Sequence, residues 1–347
     1  MDIVLSVLDT LVFDRIYATV LPLGIDVGGV AGKVGGAVNG TTPFGVVHER
    51  DPISEYFGVF PSNYADLSML SRGDWRRQLF SLFLITWIFG VLLYFIGSLF
   101  SYVFIFDKRT FDHPKFLKNQ IRQEIATTMK SLPFMAILTA PFFFIEIRGY
   151  SKLYYNLSDM PTWYNFFQFP FFLFFTDGLI YFIHRGLHHG SVYKTLHKPH
   201  HKWIMPTPFA SHAFHPVDGF AQSLPYHIFP FLFPLHKFGY IGLFIFVNCW
   251  TILIHDGEFV ADHPAINGAA CHTYHHLYFN YNYGQFTTFW DRIGGSYRRP
   301  DAALFDKEQR MAKEQWKKQV GEMETIVKAV EGDDGYREYA HDNKKTI

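Results

Sequence analysis

Long apolar stretches dominate the middle of the chain. Residues 79–106 contain no charged side chain, and at about 1.5 Å per helical residue they exceed the ~30 Å hydrocarbon core of a bilayer. Two further apolar stretches cover 125–145, with Lys130 near its start, and 165–183, interrupted only by Asp177. The pattern therefore predicts about three membrane-spanning helices within residues 79–183.

A fourth apolar block covers residues 220–254 and is broken by several prolines and by His236-Lys237. Its length suits a hairpin of two helices that turns near His236, and the alternative is one span after an interfacial helix. The remaining regions are an N-terminal region, residues 1–78, and a polar, helix-prone tail, residues 305–347. Residues 184–304 lie between the spans and the tail and contain most of the histidines.

The distribution of cations predicts the orientation. The loop 107–124 contains five Lys and Arg residues, whereas the loop 148–164 contains two. Cytosolic loops carry the excess of cations, so 107–124 is expected in the cytosol, and 148–164 and residues 1–78 in the lumen. The sequons at Asn39 and Asn156 agree with this assignment. The sequence thus predicts an all-α integral membrane protein whose transmembrane hairpins carry a cytosolic helical cap.

The amino-acid composition excludes several classes of function. Lys plus Arg and Asp plus Glu both number 31, so no net charge attracts nucleic acid. Two cysteines exclude a disulfide framework and a cysteine-based zinc cluster. Aromatic residues make up 19% of the chain and charged residues only 18%, below the roughly 25% of soluble domains. These values fit a membrane protein with a sizeable aqueous part.

The histidines provide the candidate chemistry. Fifteen of the 18 lie between His184 and His276. Many are three or four residues apart, a spacing that places side chains on one face of a helix. The four clusters are His184 and His188; His197, His200 and His201; His212 and His215; and His272, His275 and His276. Each cluster can direct two or three imidazoles to one point, which predicts metal binding, and His255 after the fourth apolar block is a further candidate ligand.

The type of ligand restricts the metal. Ten clustered imidazoles exceed the needs of one ion but suit two octahedral ions. The clusters contain no sulfur ligand, which disfavours Cu(I) and iron–sulfur centres. They also contain no Glu-x-x-His pair, so the site differs from carboxylate-bridged di-iron sites in four-helix bundles. A histidine-rich, carboxylate-poor set indicates a non-haem di-iron centre that activates O₂.

Asp177 is a carboxylate inside a predicted span, where an unpaired charge costs roughly 2.5–3.5 kcal/mol. It lies seven residues before His184, two turns away on the same helical face. Two roles remain open. Asp177 can accept the free N–H of a ligating histidine and fix its tautomer, or it can bind a hydroxyl group on a neighbouring helix.

Several cations lie among the histidine clusters. They are interpreted either as residues that extend to the membrane interface or as a docking surface for an acidic electron donor. The four are Arg185, Lys194, Lys198 and Lys202.

The order of the histidine boxes resembles that of the fatty acid hydroxylase/sterol desaturase superfamily. Longer strings are similar to those of the fungal C-5 sterol desaturases, and the resemblance extends over nearly the whole chain. These strings occupy residues 104–108, 113–120, 196–203, 208–219 and 281–292. The resemblance implies that the catalytic, iron-binding box histidines are His184, His188, His197, His200, His201, His272, His275 and His276.

The resemblance also implies a reaction and its cofactors. It implies formation of the C5=C6 double bond in a delta-7 sterol such as episterol, during ergosterol synthesis in the endoplasmic reticulum membrane. It implies two irons, O₂, and electrons from NAD(P)H through cytochrome b5 and its reductase. Phe174 and Tyr181, on the span that leads into His184, are the candidates for sterol contact. The final residues, 344–347, resemble the dilysine signal that coat proteins read from the cytosol.

Three other functions must be distinguished from sterol desaturation. The nearest is a sterol methyl or fatty acyl hydroxylase of the same superfamily, because the histidine boxes alone do not select desaturation. A metal-ion transporter is a different class, but transporter sites lie at mid-membrane on broken helices, whereas these boxes follow the spans. A zinc protease requires a glutamate base in His-Glu-x-x-His, which the sequence lacks.

Overall fold

The computed structural model describes residues 1–23, 58–330, 332 and 337–341. Within these ranges the chain is mainly helical, and its named strands are the two-residue β1 (Leu153–Tyr154) and β2 (Leu235–His236). The sequon at Asn39 and the dilysine signal at 344–347 lie outside the described residues.

The helices follow the apolar pattern. Their bounds are α1 Asp2–Leu8, α2 Asp14–Val20, α3 Trp75–Phe104, α4 Gln120–Ile145, α5 Thr162–Leu187, α6 Gly190–Val192, α7 Lys198–His201, α8 Pro216–Leu232, α9 Lys237–Ile254, α10 Ala269–Tyr278, α11 Phe289–Ile293, α12 Lys307–Arg310 and α13 Lys313–Val330. Short 3₁₀ segments occur at Lys108–Asp112, Leu157–Asp159, Pro208–His212 and Ala302–Phe305, and π-helical turns at Asp9–Phe13, Glu146–Tyr150 and Tyr193–His197.

Among the described residues, four helices are long and apolar enough to cross a membrane. They are α3, α4 with its π-helical extension to Tyr150, α5 and α9. Helix α3 begins four residues before the predicted stretch 79–106 and ends two residues before its end, whereas α4 and α5 contain the predicted stretches 125–145 and 165–183 and extend beyond them. The extensions include charged positions, of which some are exposed, such as Arg76 and Arg185, and others are buried, such as Arg77 and Glu124. The membrane-embedded, all-α fold class predicted from the sequence is confirmed.

The block 220–254 forms two helices, α8 and α9, that turn close to His236. Of these two, α9 has the length and hydropathy of a span. Strand β1 pairs in parallel with β2, with Leu153 opposite Leu235. This pairing places the segment before α5 beside the turn between α8 and α9. Helix α8 also packs against α5, so the α8–α9 pair returns the chain to the end of α5 that contains His184.

The chain divides into two compact units. The first comprises residues 1–86 and 140–150. In it, the buried Arg77 guanidinium donates hydrogen bonds to Asp9 and Asp14 at 2.8 and 2.6 Å. Arg72 also pairs with Asp14. Because three of these groups are almost fully buried, removing one partner would leave an uncompensated charge, so the network ties α1 and α2 to the start of α3.

The second unit comprises residues 87–139 and 151–347 and contains every histidine cluster. Its aqueous part has a core in which Tyr274 and Leu277 of α10 pack with Met323 and Val327 of α13. Burial of each such aliphatic side chain contributes about 1.5–3 kcal/mol. Helix α13, which belongs to the segment interpreted from the sequence as a tail, therefore packs against the helix that contains His272, His275 and His276.

Candidate metal centre

Five elements of the second unit supply His255 and the histidines of three of the four clusters. The C-terminal end of α5 provides His184 and His188, and His255 terminates α9. The π-helical turn at Tyr193–His197 and helix α7 provide the second cluster. Helix α10, whose residues are all buried, provides the cluster at 272–276. The segments that follow the apolar helices thus place all these imidazoles in one region.

Nine histidines form two groups within which the candidate ligand nitrogens all lie within 4.8 Å of one another. The first group contains His184, His188, His197, His201 and His275, and the second contains His200, His255, His272 and His276. Sequence neighbours are divided between the groups, since adjacent residues of a helix point about 100° apart. Each of the helices α7 and α10 therefore contributes to both groups.

Hydrogen bonds fix the tautomer of four of these histidines. In each of them Nδ1 lies within hydrogen-bond distance of an oxygen that only accepts, so Nδ1 carries the proton and Nε2 has a free lone pair. The four bonds join His184 to the Tyr283 carbonyl at 2.9 Å, His275 to the Tyr281 carbonyl at 2.7 Å, His255 to the Thr251 carbonyl at 2.6 Å and His197 to Oδ2 of Asp218 at 2.8 Å.

These lone pairs converge. Nε2 of His184 and Nε2 of His197 are 3.1 Å apart, and neither carries a hydrogen, so the contact is repulsive unless a cation lies near both. Nε2 of His255 and Nε2 of His272 are 3.0 Å apart. Two nitrogens bound at about 2.1 Å and at right angles to one ion lie about 3.0 Å apart. The two groups fit a pair of imidazole-binding metal ions.

Burial keeps the ligands neutral. Burial, together with neighbouring imidazoles, lowers the pKa values of His200, His201, His272, His275 and His276 well below the usual range. Burial also lowers the pKa of His255 to about 3. A lowered histidine pKa means that the neutral form persists down to acidic pH. The imidazoles thus retain their lone pairs for metal at neutral pH.

His212 and His215 do not join either group. The imidazole of His212 lies between Ser211, at 3.0 Å, and Asn248, at 3.1 Å. Nδ1 of His215 accepts the N–H of Val217 and so caps α8. Their spacing predicts a shared helical face, but the chain between them leaves the 3₁₀ segment Pro208–His212 and becomes extended. The two side chains are therefore not on one face.

Asp177 contacts no histidine in the described structure. Its carboxylate accepts the backbone N–H groups of Gln285 and Phe286 at 2.8 Å, and the Thr287 hydroxyl at 2.5 Å. Of the two predicted roles the structure favours the hydroxyl partner, although that hydroxyl belongs to a loop and not to a neighbouring helix. The same loop contains Tyr283, whose carbonyl accepts from His184, so Asp177 supports the site indirectly.

Asp218 provides the carboxylate that sequence reasoning missed. It is fully buried, and its Oδ2 lies 2.8 Å from Nδ1 of His197. Its other oxygen accepts from Gln222 at 2.7 Å. Asp218 is 21 residues from His197, so no helical spacing links the two, and the pair forms only because the start of α8 packs beside the turn at Tyr193–His197.

The two candidates for sterol contact occupy different environments on α5. Phe174 is 45% exposed and lies 5.4 and 5.1 Å, between ring centroids, from Phe289 and Trp290. Tyr181 is buried, and its hydroxyl accepts from Arg185 and bonds Ser296. The exposed apolar surface at Phe174 is available to lipid or substrate, whereas the Tyr181 hydroxyl is occupied by its polar contacts with Arg185 and Ser296.

A residue near the C-terminus also supports the histidines. The Arg337 guanidinium is buried and donates to the carbonyl of His201 at 2.8 Å and to the carbonyl of Lys202 at 3.3 Å. These carbonyls end helix α7 and have no helical partner. The segment around Arg337 lies against the residues that precede α4, because Tyr339 forms an antiparallel β-bridge with Leu117.

Arg337→Ala should lower the stability of the folded protein by about 1–3 kcal/mol, because it leaves buried carbonyls without a charged donor. It should also reduce metal retention, because α7 contains His200 and His201. Arg337→Lys should retain part of the stability and part of the metal retention that Arg337→Ala loses. Thermal unfolding and metal analysis of purified protein measure the effect. Glu338→Ala is the control, since it removes an exposed ion pair with Lys118, worth about 0–1 kcal/mol. Equal losses in both variants would contradict the assignment.

Comparison with known proteins agrees with this geometry. Residues 169–296, which include all nine histidines of the two groups, match the family model described as fatty acid hydroxylase. Candidate membrane spans, two buried histidine groups and this match define a membrane-bound oxidoreductase of the fatty acid hydroxylase superfamily. No solved structure matches the chain.

Full-length relatives narrow the assignment. The chain is 56% identical to the Delta(7)-sterol 5(6)-desaturase erg3A of Aspergillus fumigatus, over 99% of both chains. It is 57% identical to a probable Delta(7)-sterol 5(6)-desaturase of Neurospora crassa, over 96% of both. It is 48% identical to ERG3 of Saccharomyces cerevisiae, over 99% of this chain and 98% of that one. The chain belongs to the fungal Delta(7)-sterol 5(6)-desaturase family, which confirms the resemblance noted in the sequence.

Proposed function

We propose that this protein introduces the C5=C6 double bond into a delta-7 sterol, of the episterol type, during ergosterol biosynthesis. The observation that carries the proposal is the pair of buried histidine groups with converging Nε2 lone pairs, in a chain similar over its whole length to named sterol desaturases.

The stoichiometry defines what else the reaction requires. Formation of the double bond removes one hydrogen from C-5 and one from C-6, which together supply two electrons and two protons. Reduction of O₂ to two water molecules requires four electrons and four protons. Two electrons therefore come from a donor, which we propose is NAD(P)H acting through its reductase and cytochrome b5, and two protons come from solvent.

Iron is the proposed metal, with one ion at each histidine group. Bound iron would supply the activation of O₂ that breaking the C–H bonds at C-5 and C-6 requires, since acid–base side chains cannot remove these hydrogens. The residues of the chain hold and orient the ligands. The carbonyls of Tyr281, Tyr283 and Thr251 fix the tautomers of three histidines, and Asp218 fixes that of His197. These bonds keep Nε2 of each ligand free for metal.

The membrane helices provide the sterol side of the site. The span α5 leads directly into His184 and His188, so a sterol lying along α5 approaches the histidine groups from the bilayer. Rigid aromatic side chains suit a flat, apolar ligand. We propose that Phe174 contacts the sterol from the lipid-facing side, and that Tyr181 shapes the site through Ser296 and Arg185 instead of touching the ring system.

The direct test supplies membranes containing the protein with a delta-7 sterol, NADH and O₂ and measures sterols by mass spectrometry. The expected product is the 5,7-diene, with none formed when O₂ or the electron donor is omitted. A parallel incubation with 4-methyl sterols and with fatty acyl substrates tests the hydroxylase alternatives. A hydroxylated product without any diene would overturn desaturation and favour those alternatives.

We further propose location in the endoplasmic reticulum membrane, with the histidine groups and the C-terminus in the cytosol and the dilysine residues available to coat proteins. The pairing of β1 with β2 supports this orientation, because it places residues 153–154 and 235–236 together at the start of α5. His184 lies at the other end of this candidate span. Asn156 and the metal centre are thus expected on opposite sides of the bilayer.

Glycosylation mapping tests this orientation. Asn156 is exposed and lies in a sequon, so it should accept glycan, as should Asn39, and Asn156→Gln should remove one glycan-dependent mass shift. A C-terminal epitope should be digested by protease added to intact microsomes. An engineered sequon in the loop 107–124 is the control and should stay unmodified. Modification of that loop, with Asn156 unmodified, would reverse the orientation.

A further inference from the structure

One histidine of the metal groups reaches the protein surface. Eight of the nine grouped histidines in the described structure are buried, and His188 alone is partly exposed. Its Nε2 is nevertheless buried and has no hydrogen-bond partner. His188 therefore combines a candidate ligand atom buried in the first group with a residue that is partly exposed, so it connects the interior of the group with the surface.

Aromatic rings hold His188 in this position. The ring centroid of Tyr193 lies 5.4 Å away and that of Tyr283 lies 5.0 Å away. The Tyr283 carbonyl also accepts from His184 of the same group. A ring fixed between buried tyrosines keeps one orientation, and a fixed, short contact path favours electron transfer between a surface-bound carrier and the interior.

The surface around His188 is cationic. Residues 178–217 contain four Lys or Arg residues and no Asp or Glu. Arg185 and Lys194 are both exposed, and Arg185 is held by hydrogen bonds to the Tyr181 hydroxyl and the Gly294 carbonyl. No carboxylate of the described chain forms an ion pair with Lys194 or Arg185. Lys202 differs, because it donates to Gln123.

We propose that the surface at the partly exposed His188, flanked by Arg185 and Lys194, is the docking surface for an acidic one-electron carrier protein. The proposal rests on the proposed function, which requires two electrons per turnover from outside the chain. Each docking event delivers one electron, so two events supply one turnover. Opposite charge on the two surfaces raises the association rate and orients the carrier. Anionic lipid is the competing occupant, but the partly exposed ligand histidine favours a redox protein.

Zero-length cross-linking tests the docking without relying on enzyme activity. Full-length protein in detergent is treated with carbodiimide and the soluble haem domain of cytochrome b5, and the linked peptides are mapped by mass spectrometry. Lys194 should be joined to carboxylates of the carrier, and Lys194→Glu should abolish the linked species. Lys317→Glu is the matched control, since Lys317 is an exposed lysine of α13. Cross-links that map to Lys317 or elsewhere, and not to Lys194, would overturn the proposal.

Kinetics give a second readout. At low ionic strength Lys194→Glu should raise the KM for cytochrome b5 roughly threefold to tenfold with little change in kcat. High salt should reduce this difference, because it shortens the Debye length. Lys317→Glu should behave like wild type, and a small uncharged reductant should serve all three proteins equally. An unchanged KM in Lys194→Glu would contradict the docking surface.

Two other outcomes are distinguishable. If Lys194→Glu weakens binding to vesicles of anionic phospholipid while its carrier cross-link and KM stay normal, the surface binds lipid and the proposal is wrong. If wild-type protein forms no diene with any reductant, the proposed function fails, whereas the cross-linking result still reports whether the carrier docks at Lys194.

Discussion

His200→Ala and His275→Ala should each abolish formation of the 5,7-diene while leaving the protein in the membrane. The two residues belong to different groups, so each substitution removes one ligand from a different metal position. No neighbouring imidazole can take the place of the one that is removed, because the other histidines of α7 and α10 are held in fixed positions by their helices. Iron content measured by elemental analysis should fall together with diene formation measured by mass spectrometry.

Two histidine controls sharpen this test. His236→Ala changes a histidine whose Nε2 bonds the Tyr155 carbonyl beside the α8–α9 turn, so it should leave iron content unchanged. His212→Asn changes a ligand predicted from the sequence that lies outside both groups, so iron should also be retained. Full diene formation by His200→Ala or His275→Ala would show that the groups are not the catalytic centre. Full activity of an iron-free, zinc-loaded preparation would disprove the choice of metal.

Asp218→Ala should weaken metal binding about 10- to 100-fold. The substitution removes the acceptor of the His197 Nδ1–H bond and leaves that N–H buried without a partner, so the imidazole loses its fixed tautomer and orientation. Asp218→Asn should have a smaller effect, because the amide oxygen can still accept the bond. Titration of metal-depleted protein with ferrous iron, followed by metal binding and by diene formation, measures both variants.

Gln222→Ala serves as the control for Asp218. It removes the hydrogen bond to the other carboxylate oxygen but leaves the bond to His197 intact. Its metal affinity should stay within a few-fold of wild type. If Gln222→Ala matched Asp218→Ala, the effect would come from disturbance of α8 and not from the loss of support for His197.

The sequence alone determined the helical membrane architecture and most of the candidate ligands. The membrane spans are predictable because hydrocarbon thickness fixes a minimum length for an apolar helix, and 79–106 satisfies that minimum without a charged residue. The candidate ligands at 184 and 188, and those at 272, 275 and 276, are predictable because helical periodicity holds locally on α5 and α10. Composition and periodicity are both properties of short stretches of chain.

Contacts between distant segments were decided only by the tertiary structure. The sequence does not predict that His200 and His201 belong to different groups. That assignment depends on how α7 packs against α5 and α10. The same holds for Asp218 beside His197, for Asp177 beside the loop at 285–287, and for Arg337 at the end of α7. Spacing also fails at His212 and His215, where the backbone is not a continuous helix. Periodicity specifies which side chains share one face of a helix, but the packing of the helices specifies which residues that face contacts.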